Sequence, residues 1–101
     1  MGALNTGIDQ KKAKHITDGL AKVLADTYTL SLKTLKYHWN VTGPMFHSLH
    51  ILFEDHYKDL NEAIDDLAER IRVFGIKAPG SYTEFMKVSS VKEDPSLDCK
   101  A

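Results

Sequence analysis

The sequence has 101 residues, 43 % of them hydrophobic, and a formal net charge of −1. That describes one small domain with apolar side chains for a modest core. Thirteen basic against fourteen acidic residues leave no electrostatic footprint for nucleic acid or membrane over the chain as a whole. The single cysteine, Cys99, cannot staple the fold and fits a reducing compartment. The first fourteen residues are polar and no apolar run reaches membrane-spanning length, so the expected location is the cytoplasm, with the nucleoid as a variant of it.

All the periodicity is helical, and the expected fold class is all-α, one domain over residues 1–101. A first helix is expected over 9–40, with Asp9 as its N-cap. Ile16, Leu20, Leu24, Ser31, Leu35 and His38 share one face of it. The run Thr27-Tyr28-Thr29-Leu30 is poor in helix propensity, yet the apolar spacing continues through it. Val41-Thr42-Gly43-Pro44 breaks the pattern. A second helix is expected over 44–74, with Pro44 in its first turn and Thr42 or Gly43 capping it. Its stripe is Phe46, His50, Phe53, Tyr57, Leu60, Ile64, Leu67, Ile71 and Phe74, alternating threes and fours as in helices that pack lengthwise. Gly75 is a natural stop. Ser81 followed by Glu84 reads as a capping box for a short connecting helix over 81–87. The run from Glu93 to Leu97, with Asp94 or Ser96 as cap, reads as the start of another helix.

Two long amphipathic helices make a hairpin, and a hairpin cannot bury both stripes by itself; bundles use three or four helices. Either further helices belong to this chain or the missing partners come from other copies. On both readings the isolated monomer is not a stable fold.

The second helix carries a further face beside its apolar stripe. His50, Glu54, Asn61, Asp65 and Glu69 fall within about a quarter-turn sector. Carboxylates bordering an apolar seam are costly to bury unless paired or bound to a cation. His38, near the centre of the first helix's apolar face, needs a hydrogen-bond partner or a metal. Imidazole plus carboxylate without thiolate suits a borderline transition metal such as iron, zinc or manganese, and argues against a zinc finger or an iron–sulfur cluster.

One chain cannot gather these groups. Glu54 and Asp65 lie roughly 16 Å apart along a straight helix, and His50 and Glu69 roughly 28 Å, whereas metal–ligand bonds are near 2 Å. His38, His50 and Glu54 form one set near the turn; Asp65 and Glu69 form another toward the far end. Two hairpins packed antiparallel about a two-fold axis would bring the sets together, twice per dimer. The plainer readings are a satisfied core histidine at His38 and a solvated Asp65/Glu69 pair beside Arg70 or Arg72. His15, His47 and His56 read as surface residues. Lys11, Lys12 and Lys14 read as a solvated first turn rather than a DNA-binding tail. Trp39 reads as a packing residue with its indole N–H hydrogen-bonded.

The stretch Tyr37-His38-Trp39-Asn40-Val41-Thr42-Gly43-Pro44-Met45-Phe46, followed by Leu49-His50, closely resembles the turn between the first two helices of Dps-type mini-ferritins. Asp65-Asp66-Leu67-Ala68-Glu69-Arg70 resembles the family's D-x-x-A-E-R run. Asp18-Gly19-Leu20, Leu24-Ala25-Asp26-Thr27-Tyr28 and Ala78-Pro79-Gly80-Ser81-Tyr82 are also typical, so the resemblance covers roughly residues 4–93. It implies a ferritin-like helical hairpin, the first two long helices and short connecting helix of a four-helix bundle, from a family that assembles shells of twelve subunits. It implies ferroxidase ligands at His38, His50 and Glu54 of one chain and at Asp65 and Glu69 of its two-fold mate, Glu54 standing where many relatives have Asp. The implied reaction is oxidation of Fe²⁺ to Fe³⁺ by hydrogen peroxide or O₂, with ferric oxide stored in the cavity and DNA protected from oxidative damage. Zinc or manganese can substitute for iron in such a ligand set. Trp39 could quench radicals, and Asp59, Glu62 or Asp66 could nucleate mineral. The short N-terminal arm does not support DNA binding. The rival readings are a DNA-binding nucleoid protein and a truncated helical assembly module with a vestigial metal site.

Overall fold

The computed structural model describes residues 10–95; Asp9, Ser96, Leu97 and Cys99 lie outside them. Three helices follow in order: α1 (Gln10–Asn40), α2 (Phe46–Val73) and α3 (Tyr82–Val88). None of the described helices is long and apolar enough to cross a membrane. α1 and α2 form an antiparallel hairpin, in which His38 meets His50, Ser31 meets Asn61, and Leu24 packs in one cluster with Ile71.

Helix α1 runs unbroken through Thr27-Tyr28-Thr29-Leu30. Its threonine hydroxyls bond back to carbonyls one turn earlier: Thr27 to Val23, Thr29 to Ala25 and Thr34 to Leu30, at 2.7, 2.9 and 2.8 Å. Such bonds satisfy a buried hydroxyl without an outside partner. They let small polar residues form the contact face.

That face differs from the expected one. Ala13, Thr17, Leu24, Ala25, Thr29, Ser31, Thr34 and His38 are buried, while Ile16 remains 40 % exposed and Leu20 and Leu35 are half-buried. α1 contacts both α2 and α3, and small side chains let the helices come close. Leu24 fills the contact, while Ile16, Leu20 and Leu35 flank it.

Helix α2 starts at Phe46, two residues later than expected, and no side chain caps it. Gly43, at φ 108°, turns the chain, and its carbonyl accepts from the Phe46 N–H at 3.1 Å. Gly75, at φ 77°, ends α2 as expected, its N–H bonding to the Arg72 carbonyl at 2.9 Å. A left-handed φ costs glycine nothing, which is why it sits at both ends. Of the expected α2 stripe, Ile71 is fully buried, Phe46 is exposed, and the rest are half-buried.

Ser81 caps α3, and Glu84 meets the Ser81 hydroxyl instead of its backbone N–H. The Glu84 N–H donates to Ser81 Oγ at 3.2 Å, and Ser81 Oγ donates to the Glu84 carboxylate at 2.8 Å. Phe85 on α3 joins Leu24, Ala25 and Ile71 in the core, ringed by Leu20, Tyr28, Ile64, Leu67 and Ile76. The Tyr28 ring packs 4.7 Å from Phe85 and 5.8 Å from Tyr82. The Tyr82 hydroxyl and burial push the Tyr28 phenol up to about 12.

After α3 the chain travels along α1 toward the turn between α1 and α2. The Ser89 hydroxyl donates to the Asp26 carboxylate, and the Tyr37 hydroxyl donates to the Asp94 carboxylate. Glu93, Asp94 and Pro95 are not helical, and the rest of the expected fourth helical start lies outside the described residues. Residues 89–95 thus return the chain to the end of the hairpin from which α2 departs.

Candidate metal centre

The turn between α1 and α2 sets two imidazoles face to face. His38 lies in the last turn of α1 and His50 in the second turn of α2. Their ring centroids are 3.8 Å apart, with the planes 18° from parallel. His38 Nδ1 lies 2.7 Å from the His50 carbonyl, and His50 Nδ1 lies 2.7 Å from the His38 carbonyl.

The reciprocity settles the tautomer. A carbonyl oxygen only accepts, so each Nδ1 carries the proton and donates. In a neutral ring the other nitrogen, Nε2, then holds the lone pair, the state in which histidine binds metal. The carbonyl of His38 is available because the last carbonyls of a helix lack partners within it. His38 is buried at 8 % exposure, and Tyr57 meets its ring edge-on at 5.3 Å. Phe46 stacks on His50 at 5.3 Å. Tyr37 packs on Phe53 at 5.9 Å, closing the same end of the hairpin.

Glu54 stands one turn beyond His50 on α2, half-buried, with its carboxylate 3.3 Å from the Lys58 ammonium. Asp65 and Glu69 are exposed. Among the described residues no salt bridge engages either of them. They sit three turns or more beyond Glu54, and within one chain no three His, Cys, Asp or Glu among the described residues gather around a common point. The structure thus brings two of the five expected ligands together and leaves the carboxylates of α2 apart.

His15, His47 and His56 are exposed, as expected. Lys11, Lys12 and Lys14 are exposed too, Lys14 pairing with Asp18 at 2.8 Å. Trp39 is a correction: it is 64 % exposed and forms one wall of an open cavity instead of packing in a core. A tryptophan one residue past a buried histidine points roughly a third of a turn away from it, off the α1–α2 contact. Sequence reasoning singled out neither Tyr57 as a neighbour of His38 nor Asp26 and Asp94 as anchors. Only Tyr57 left a signal, seven residues past His50 on the same stripe.

A family model for ferritin-like domains matches residues 17–100. The chain belongs to the ferritin-like family. Within it, the solved structures and named relatives that match include Dps proteins. The crystal structure of a Dps protein from Vibrio cholerae, described as a ferritin-like diiron-carboxylate protein, superposes with a TM-score of 0.90 at 31 % identity, covering 100 % of this chain and 63 % of that one. An uncharacterized low temperature-induced protein of Nostoc is 43 % identical over 93 residues, 92 % of this chain and 52 % of the relative. A DNA protection during starvation protein of Porphyromonas gingivalis is 36 % identical over 96 residues, 95 % of this chain and 60 % of the relative. The chain spans about half to three-fifths of the length of the curated relatives it matches.

Proposed function

We propose that this protein is an iron-oxidising and iron-storing enzyme whose catalytic centre is shared between two copies of the chain. The observation that carries this reading is the braced pair His38 and His50, each with Nδ1 committed to a carbonyl and Nε2 left as the donor nitrogen. Ferrous iron is the substrate. The imidazoles and Glu54 of one chain hold it, and Asp65 and Glu69 of a two-fold mate complete the set. Carboxylate oxygen is a hard donor and favours the ferric ion over the ferrous one, which eases loss of the electron. Each ferrous ion gives up one electron, and hydrogen peroxide or O₂ accepts it. Consuming iron and peroxide together protects DNA from the radicals they generate. The Dps proteins among the relatives support the iron-handling class.

Complementation between two defective chains tests both the reaction and the sharing of the site. One variant carries His38→Ala and His50→Ala; the other carries Asp65→Asn and Glu69→Gln. Each alone should lose ferrous oxidation, read as ferric absorbance after adding Fe²⁺ and peroxide. In a mixed dimer one site collects both defects and the other is intact. Co-refolded at equal amounts, the pair should therefore recover about a quarter of the wild-type rate, since half the dimers are mixed and each holds one good site. Wild-type rates in both single preparations would refute the reaction. No recovery on mixing would refute the shared site.

The DNA-binding reading has no comparable observation behind it: Lys11, Lys12 and Lys14 are ordinary exposed residues of a first turn. A gel shift at low and moderate salt should show no complex.

A further inference from the structure

The sector of α2 that carries the proposed ligands also carries a cation. Lys58 stands one turn beyond Glu54 and one turn short of Asn61, so it falls between the set His50 and Glu54 and the set Asp65 and Glu69. Its ammonium lies 3.3 Å from Glu54 Oε1. Among the described residues this is the one salt bridge that engages a proposed ligand; the others join Lys14 to Asp18 and Lys36 to Asp94.

The groups around this carboxylate differ in their freedom to move. His50 is fixed by its bonds across the turn, and the Glu54 side chain is 38 % exposed. The Lys58 side chain is 63 % exposed on a flexible stem. A carboxylate partly withdrawn from water needs a positive partner, and Lys58 provides one. A metal ion draws on the same negative charge. With metal–oxygen bonds of about 2 Å, an ion on Glu54 sits close to the ammonium, and the two positive charges repel. The exposed lysine yields, because it can turn into solvent and the braced imidazoles cannot.

We propose that Lys58 is a displaceable counter-ion for Glu54. It holds the carboxylate until a divalent cation takes it, and so sets the metal affinity of the centre below what the ligands alone would give. This rests on the reading of His38, His50 and Glu54 as iron ligands. Lys58 acts through Glu54 and is itself no ligand. The exchange is ammonium for metal, with no electron transferred. An exposed pair one turn apart holds weakly, so removing Lys58 should tighten metal binding only about two- to fivefold.

Cobalt(II), followed by its visible ligand-field absorption, measures binding to the whole chain without oxidation. The variants are Lys58→Gln, Lys58→Arg, Glu54→Gln, Lys58→Gln with Glu54→Gln, and His38→Ala with His50→Ala. Lys58→Gln should bind cobalt about two- to fivefold more tightly than the unmodified chain, and Lys58→Arg about as tightly as it. In chains carrying Glu54→Gln the gain from Lys58→Gln should vanish. Unchanged affinity in Lys58→Gln would overturn the proposal. So would an equal gain with and without the Glu54 carboxylate, because the lysine would then act only as a general positive field. Lys58 is exposed, so the comparison of its Gln and Arg variants stays decisive even if Glu54→Gln does not fold. Equal cobalt binding with and without the histidine pair would remove the ligand set itself. Loss of binding there, beside an indifferent Lys58→Gln, would sink the counter-ion alone.

Discussion

At the scale of single residues, the histidine pair and Asp26 are each defined by their hydrogen bonds. The Ser90 hydroxyl, then the Ser90, Ser89 and Val91 donors, hold the Asp26 carboxyl at about 2 against an ordinary 3.8, with desolvation opposing. A lowered folded value means that ionised Asp26 stabilises its contact with residues 89–91 above the ordinary carboxylate range, and that this contribution is lost as pH falls through about 2. Protection of the Ser90 and Val91 amides should accordingly persist at pH 4 and vanish near pH 2. Asp65 and Glu69 behave differently. They are exposed and take part in no salt bridge among the described residues, so replacing them with Asn and Gln should change the stability little, by less than about 0.5 kcal/mol. The same change should abolish ferrous oxidation. A melting curve and a ferric absorbance trace on one preparation check both halves, and a large fall in stability would show that these side chains serve the fold instead.

The elements were largely legible from periodicity, and the places where legibility failed are instructive. Alternating threes and fours located α2 and its stripe, and Ser81 with Glu84 located the start of α3. The face of α1 was read correctly at Leu24, Ser31 and His38 and missed elsewhere, because counting apolar residues weights Ile16 and Leu35, whereas the contact also buries Ala25, Thr29 and Thr34. A threonine bonded to the carbonyl one turn back is an inward-facing residue that hydropathy scores as polar. Energetics should follow the observed core. Ile71, 1 % exposed between α1 and α3, should cost about 2–5 kcal/mol when cut to alanine, measured as loss in thermal or urea unfolding. Ser81→Ala removes the oxygen that receives the Glu84 N–H and should cost about 1 kcal/mol, confined to α3. Hydrogen exchange would localise that loss.

For the whole molecule, shape carries the argument. The chain measures 55 × 23 × 18 Å, with a radius of gyration of 16.7 Å. A compact domain of this length has a radius of about 13 Å. Val23, Leu30, Leu32, Phe46, Ile51 and Leu52 remain 42–49 % exposed, far more apolar surface than the six buried hydrophobic residues among those described offset. The protein should therefore melt at a temperature that rises with its concentration, and light scattering should find an oligomer. A concentration-independent melt of a monomer would contradict this. The site was legible only in part for the same reason. Ligand types and their division into two sets follow from α2 being straight. The mutual grip of His38 and His50 does not, because it depends on how closely two helices approach at their turn.

That grip makes the histidines a single thermodynamic unit. Each imidazole is donor to the other's backbone, so removing either one takes away a bond that holds the survivor's own segment in place. In a double-mutant cycle over His38→Ala and His50→Ala the second loss should cost less than the first, with a coupling of about 0.5–3 kcal/mol. The two candidate ligands are also the clasp between α1 and α2 at their turn, and substitution at one will be felt at both.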